Sequence, residues 1–136
     1  MDELVKKFSI LFRRSGLDLD RQLKKFGLSR GQMMYLMCIC ENEGDSQEQL
    51  AAELRINKGA VARAVQKFER DGFINRLPSE KDRRQYRLLA TEKTRRIYQA
   101  IRTIEADWEE NVTRNLNAGE RSLLVSLLDR LIEDME

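Results

Sequence analysis

The stretch from residue 57 to residue 89 constrains the fold most, because its pattern predicts one amphipathic helix followed by one short hairpin. Val61, Val65 and Phe68 recur at helical spacing and define an apolar face, with polar residues on the opposite side. Asn57 directly precedes this pattern, and Asn is a favoured N-cap residue. The helix is therefore expected to begin just after Asn57 and to bury one side.

The hairpin is predicted from two short apolar runs that flank a charged loop. Gly72 is a suitable stop for the helix. Residues 73–78 and 85–89 then form the strand candidates, and residues 79–84 are polar and charged, as in a solvated loop. Pro78 fits a strand end, where no ladder donor is required.

Positive charge is concentrated around this stretch. Residues 54–96 carry thirteen basic and five acidic side chains, a net +8, whereas the whole chain carries only +2, so the remainder sums to −6. Such asymmetry indicates a polyanionic partner. An α-helix fits the major groove of a duplex, and a hairpin arm can follow the phosphates or place an arginine in the minor groove.

The polar helix face and the hairpin loop supply the candidate contacts, although a solvated helix face would explain the former taken alone. Arg63 and Gln66 can read guanine and adenine edges, whereas Lys67 and Arg70 suit phosphates. Gly59 either admits a close backbone approach to DNA or is a first-turn glycine of little cost. The expected DNA-binding residues are Asn57, Lys58, Gly59, Ala60, Arg63, Gln66, Lys67, Arg70, Lys81, Arg83 and Arg84.

Capping boxes predict further helix starts at Ser29, Ser46 and Asn117, each followed three residues later by Gln or Glu. The helix over residues 33–41 is apolar on nearly all sides, which indicates the central core helix. The short helix after Ser46, a tight turn and the helix after Asn57 form a helix-turn-helix, and the hairpin makes it a winged helix.

The terminal segments predict dimerisation helices. Residues 1–27 form either one long helix or two short ones interrupted at Gly16. Thr91 is a candidate N-cap for a long helix that runs to about Leu116, and the last helix has a wide apolar face. The economical solution is that these helices pack together and against a second copy.

Composition argues against an enzyme. The chain has no histidine and two cysteines, so the commonest general base and a structural zinc site are both missing, and no cofactor or metal is expected. Cys38 and Cys40 are either packing residues or oxidant sensors. No apolar run is long enough to span a membrane, and no signal peptide is evident, so a cytoplasmic location is the default expectation.

Several motifs together make the chain resemble the MarR family of winged-helix transcriptional regulators. Leu28–Gln32 resembles the start of the family's second helix, and Gln49–Leu54 with Asn57–Arg63 resembles its helix-turn-helix. Phe68–Ile74 resembles the family's entry to the wing, and Asp82-Arg83-Arg84 resembles its Asp-x-Arg wing signature. The chain departs from the family pattern at Ala90, where Leu is usual, and at Thr94, where Gly is common.

The resemblance implies a homodimer that binds a palindromic operator. Arg84 matches the wing arginine that reaches the minor groove, and Asp82 matches the aspartate that orients the wing, which we expect to pair with an arginine. Family members often bind small aromatic effectors, and a pocket for one is predicted at Met33, Met37 and Trp108, against the alternative that these residues are plain core.

We therefore predict a mainly α (α+β) protein with a winged helix-turn-helix and terminal dimerisation helices. Residues 1–28 and 96–136 are assigned to dimerisation, and residues 29–95 to DNA binding. The predicted function is sequence-specific transcriptional regulation, more in keeping with a repressor than an activator. The alternative is a helical protein–protein interaction module whose basic face binds an acidic partner. The operator, the regulated genes and the effector are not encoded in these patterns.

Overall fold

The computed structural model describes residues 2–135, and the terminal residues Met1 and Glu136 of the predicted dimerisation segments lie outside them. The helices are α1 (Glu3–Leu23), α2 (Arg30–Glu41), α3 (Gln47–Leu54), α4 (Lys58–Arg70), α5 (Glu92–Val112) and α6 (Ala118–Glu133). A 3-10 turn, Lys24–Phe26, follows α1, and the hairpin strands are β1 (Ile74–Pro78) and β2 (Tyr86–Ala90). The predicted mainly helical winged-helix fold is confirmed.

Local sequence signals explain where the helices begin. Ser29, Ser46 and Asn117 each form the predicted capping box. The Asn57 side chain accepts a 2.8 Å hydrogen bond from the backbone N–H of Ala60, which caps α4. These bonds satisfy backbone donors that a helix N-terminus otherwise leaves unpaired.

The turn between α3 and α4 and the end of α4 both use left-handed backbone. Arg55 has φ of 54° and follows α3, and the N–H of Ile56 bonds to the Ala51 carbonyl. Gly72 has φ of +82°, which side chains disfavour, and it turns the chain from α4 into β1. This placement of Gly72 confirms the predicted stop.

The hairpin is antiparallel, with Ile74 opposite Ala90 and Pro78 opposite Tyr86. The turn between α2 and α3 extends it: the N–H of Gly44 donates to the Leu88 carbonyl, and the N–H of Leu88 donates to the Asp45 carbonyl. The base of the hairpin is thus fastened to the helical body by backbone bonds.

A continuous core joins α4 and the hairpin to the preceding helices. Phe68 and Phe73 meet edge to face with ring centroids 5.9 Å apart, a favourable aromatic geometry. The fully buried side chains include Leu23, Leu36, Val61, Val65, Phe68, Ile74, Leu88 and Ile101. Helix α2 contributes much of this core, as predicted, although Met34 is exposed.

Helix α1 continues through Gly16, so of the two predicted alternatives the one long helix is correct and the interruption at Gly16 is not. Arg30 of α2 explains why a glycine occurs at this position. Its Nη1 donates to the Phe12 carbonyl over 3.1 Å and its guanidinium lies 4.2 Å from the centroid of the Phe12 ring. A Cβ on Gly16 would lie 1.1 Å from the Arg30 Nη1, so the missing side chain leaves room for the arginine.

The chain divides into two compact units, one ending at Ile104 and the other beginning at Glu105. In the second unit, α5 ends at Val112 rather than near Leu116, because Asn117 adopts extended backbone to cap α6 and a turn precedes it. Arg121 makes two hydrogen bonds, of 3.0 and 3.2 Å, to the Glu110 carboxylate. Within residues 2–135, no helix combines the length and apolarity that crossing a membrane requires.

Candidate nucleic-acid interface

Helix α4 presents a polar face opposite its buried anchor. Val61 and Val65 are fully buried and Phe68 nearly so, which fixes the rotation of the helix about its axis. The opposite side chains are therefore solvent exposed, and we call them the α4 polar face: Arg63, Gln66, Lys67 and Arg70. Their charges and amide group are available to an external partner.

The first turn of α4 carries the other predicted helix residues. Lys58 and Gly59 are exposed and Ala60 is half-buried. The Nη1 of Arg63 lies 3.4 Å from the position that a Gly59 Cβ would occupy. This is an ordinary van der Waals separation, so the structure shows no steric need for a glycine at position 59.

The loop between the strands, residues 79–85, forms an ordered turn that we call the wing tip. The Ser79 hydroxyl accepts bonds from the backbone N–H groups of Lys81 and Asp82. The Asp82 carboxylate accepts a 3.0 Å bond from the backbone N–H of Arg84. The Gln85 N–H donates to the Asp82 carbonyl. Asp82 thus shapes the turn through the backbone of Arg84, not through the expected arginine side chain.

The cations of the wing tip, Lys81, Arg83 and Arg84, are all exposed. In the part of the chain that the structure describes, none of the three forms an ion pair, and neither do Arg63 and Lys67. These five cations are thus without an ion-pair partner among the described residues, although Glu80 and Asp82 leave the wing tip, with three basic and two acidic side chains, a net charge of +1.

Other cations of the basic segment are already neutralised. Arg76 pairs with Glu69 at 3.0 Å, Arg95 with Glu43 at 3.2 Å, and Arg96 of α5 with a glutamate one turn earlier. Arg70 is intermediate, with its Nε 4.0 Å from the Asp71 carboxylate. The net +8 already subtracts Glu69, Asp71 and Glu92, so only the pair of Arg95 with Glu43, whose carboxylate lies outside residues 54–96, lowers the net charge further, by one.

The start of α5 holds the C-terminal end of α4 through three consecutive carbonyls. Lys93 Nζ donates to the Asp71 carbonyl over 2.9 Å and lies 4.1 Å from the Phe73 ring centroid. The Thr91 hydroxyl donates to the Gly72 carbonyl, and the Thr94 hydroxyl to the Phe73 carbonyl, both over 2.6 Å. Sequence reasoning noted Thr94 only as a departure from the family, and its side chain is 1% exposed.

The residues predicted to line an effector pocket fall in different units. Met33 and Met37 are buried in the unit that ends at Ile104, whereas Trp108 is half-buried and belongs to the other unit. The pocket stays a prediction. A different cavity, a polar cleft of about 600 Å³, lies between the α2–α3 turn and the wing tip, with Ser46, Gln49 and Arg87 in its lining.

The two cysteines lie in surroundings that favour the protonated thiol. Cys38 is buried, and desolvation raises its pKa. Desolvation, with the charges of Glu43 and Glu41, raises the pKa of Cys40 to about 11. Because the thiolate is the reactive form, these environments favour packing over redox sensing. Across the described residues, no group of three or more Cys, Asp or Glu side chains could hold a metal ion.

Comparison with known proteins gives concordant results for sequence and structure. The MarR family model matches residues 28–86. The chain is 32% identical over 132 residues to the HTH-type transcriptional regulator BilQ of Clostridium symbiosum, covering 96% of this chain and 92% of that protein. It is also 29% identical over 136 residues to YybA of Bacillus subtilis, an uncharacterized HTH-type transcriptional regulator, covering 100% and 91% of the two chains.

Solved structures show the same architecture. A MarR transcriptional regulator from Methanosarcina mazei superposes with a TM-score of 0.82 at 30% identity, covering 96% of this chain and 94% of that one. A Listeria monocytogenes protein assigned to the MarR family and complexed with 26mer DNA gives a TM-score of 0.89 at 24% identity, covering 99% and 90%. At 24% identity, the similarity to the Listeria monocytogenes protein shows a shared fold only.

Proposed function

Since this chain belongs to the MarR family of transcriptional regulators, we propose that it binds a palindromic DNA operator as a homodimer and represses transcription. It is a regulator and not an enzyme. The observation that carries the proposal is that Arg63 and Lys67 on the α4 polar face, and the three cations of the wing tip, are exposed and form no ion pair among the described residues. In this reading α4 is the recognition helix and the hairpin is the wing.

Helix α4 and the wing tip contact different parts of the DNA in this proposal, because their side chains differ in chemistry. Arg63 and Gln66 present the guanidinium and amide groups that pair with base edges in the major groove. Arg84, on the tip, suits the narrow minor groove, whose negative potential attracts arginine. Lys67 and Lys81 contribute phosphate contacts, which position the protein without reading sequence.

Exposed apolar faces support the homodimer. Helix α1 leaves Leu4, Phe8 and Phe12 exposed, and Phe12 is 68% exposed despite its contact with Arg30. Helix α6, in the other unit, exposes a row of its own, Leu123, Leu124, Val125, Leu127, Leu128, Leu131 and Ile132. Patches of large apolar side chains on a soluble chain mark interaction sites, and a second copy of this chain is the occupant we propose.

Sedimentation velocity tests the dimer. The main species should have twice the 16.0 kDa mass of one chain. Leu127→Glu/Leu131→Glu should give a monomer, whereas Met34→Glu, which alters an exposed apolar residue of α2, should stay dimeric. A monomeric unmodified protein at micromolar concentration would refute this part of the proposal.

Selection of duplexes from a random-sequence pool at physiological salt tests DNA recognition. We expect an enriched palindrome whose half-sites lie about 10 base pairs apart, because two-fold symmetry places the recognition helices in successive major grooves. Arg63→Gln/Arg84→Gln should abolish enrichment, whereas Lys6→Gln/Arg13→Gln, which removes two exposed α1 cations, should retain it. Binding without enrichment contradicts sequence-specific regulation, and absence of binding favours an acidic protein partner.

Repression and effector release complete the proposal. A dimer bound over a promoter would block transcription, and a small aromatic effector would release DNA by favouring a different spacing of the two wings. Trp108 is the single tryptophan, so its fluorescence should change on titration with a phenolic acid. An unchanged spectrum together with unchanged operator affinity would contradict effector control by that compound class.

A further inference from the structure

Arg76 of β1 lies between the recognition helix and the second wing strand. Its Nε and Nη2 donate to the two Glu69 carboxylate oxygens over 3.2 and 3.0 Å. On its other side, the guanidinium carbon lies 5.1 Å from the centroid of the Tyr86 ring. Arg76, which belongs to β1, therefore links α4 to β2. We call Glu69, Arg76 and Tyr86 the wing brace.

The brace lies where the hairpin leaves the core. Arg76 is opposite Leu88, which is 1% exposed and is the last buried residue toward the tip on that face. Farther out, the described residues Leu77, Pro78, Tyr86 and Arg87 are all exposed. The apolar core can therefore fix the base of the hairpin, while the outer half needs another contact to hold its direction.

The chemistry of the brace is suited to setting an orientation. A bidentate arginine–carboxylate pair fixes both distance and plane, which a single lysine contact does not. The hydrogen bonds that Arg76 donates to Glu69 raise the pKa of Arg76 above its ordinary value. The side chains of Arg76 and Glu69 remain 32% and 38% exposed, so water weakens the pair, and its contribution to global stability is small.

We propose that the wing brace sets the angle of the wing relative to the recognition helix, so that Arg84 and Arg63 contact the same DNA duplex simultaneously. The proposal rests on the DNA-binding function given above. Arg76 is then a positioning residue whose charge is engaged within the protein, although it is one of the thirteen basic residues of the segment 54–96.

The free protein tests the brace without reference to DNA. Residual dipolar couplings of backbone amides report the orientation of residues 74–90 relative to α4. Glu69→Gln should alter or average the couplings of the outer hairpin, since it removes the charged bidentate acceptor. Glu92→Gln removes the same charge from a more exposed pair that does not involve the hairpin, with Arg96 on α5, and should leave them unchanged. Unaltered outer-hairpin couplings in Glu69→Gln would overturn the proposal.

A double-mutant cycle on DNA tests the consequence. In the unmodified protein, Arg84→Ala should weaken binding to the selected operator about tenfold. In the Glu69→Gln background the same change should cost under about threefold, because the tip is no longer held at the groove. Arg63→Ala should cost the same factor in both backgrounds. An undiminished Arg84→Ala effect in Glu69→Gln overturns the proposal.

Two further readouts separate the brace from rival explanations. If Glu69 acted only as a negative charge near DNA, Glu69→Gln would bind every duplex more tightly, and this result overturns the proposal. Tyr86→Leu removes the stacking partner from the other side and should reproduce the reduced Arg84→Ala effect, which covers the case that Glu69→Gln does not fold. If the unmodified protein binds no duplex, the DNA-binding function fails, and the dipolar couplings still decide whether the brace orients the hairpin.

Discussion

Thr94 gives the sharpest test of how α5 supports the recognition helix. Its hydroxyl donates to the Phe73 carbonyl over 2.6 Å, and both groups are buried. Thr94→Val replaces the hydroxyl with a methyl group of nearly equal size, so the change removes one donor with little change of volume.

The magnitude follows from what remains at the acceptor. Losing a buried hydrogen bond costs about 1–3 kcal/mol when a partner is left unsatisfied. The Phe73 carbonyl keeps the backbone N–H of Thr91 as a donor at 3.1 Å. It is therefore not orphaned, and we expect Thr94→Val to lower the free energy of unfolding by about 1 kcal/mol, the low end of that range.

Chemical denaturation at one fixed protein concentration measures this change, since association couples stability to concentration. Thr103→Val is a matched control on α5, because the Thr103 hydroxyl is exposed and bonds only to the Gln99 carbonyl of its own helix. Its effect should stay within about 0.5 kcal/mol. Amide exchange should also accelerate at residues 71–74 in Thr94→Val. Equal stability of the two variants would refute the argument that α5 holds this turn through the hydroxyl.

The remaining predictions concern the interface, the α1–α2 contact and a thiol. Arg84→Ala should weaken binding to operator and scrambled duplexes alike in an anisotropy titration. Arg63→Ala should cost about 1–3 kcal/mol chiefly at one base pair, and equal losses on both duplexes would contradict this division. Gly16→Ala should stabilise an Arg30→Ala variant by about 1 kcal/mol through helix propensity and help the unmodified protein less, because the new Cβ displaces Arg30. If Gly16→Ala changes thermal stability equally in the unmodified protein and in the Arg30→Ala variant, the proposed clash is contradicted. With the pKa of Cys40 raised to about 11, its alkylation by iodoacetamide should accelerate about tenfold per pH unit from 7 to 10, and a plateau below pH 9 would exclude the raised pKa.

The sequence by itself determined several helix starts and the exposed position of the candidate DNA-binding residues on α4. The capping boxes at Ser29, Ser46 and Asn117 join residues three apart, so each signal is complete within a few residues. The apolar period of α4 fixed which face is buried, and the polar face follows from the same period. Local hydrogen bonds and helical geometry need no knowledge of distant segments.

Only the tertiary structure decided which cations have an ion-pair partner, why position 16 is a glycine and which carbonyl the Thr94 hydroxyl binds. Arg95 meets a carboxylate 52 residues away, Arg30 crosses α1 at Gly16, and Thr94 reaches a carbonyl 21 residues earlier. Arg76 was counted as part of the basic segment, but it is held by Glu69 across the α4–β1 turn. Such contacts depend on how elements pack in space, and periodicity within one segment carries no information about the partner that packing brings to it.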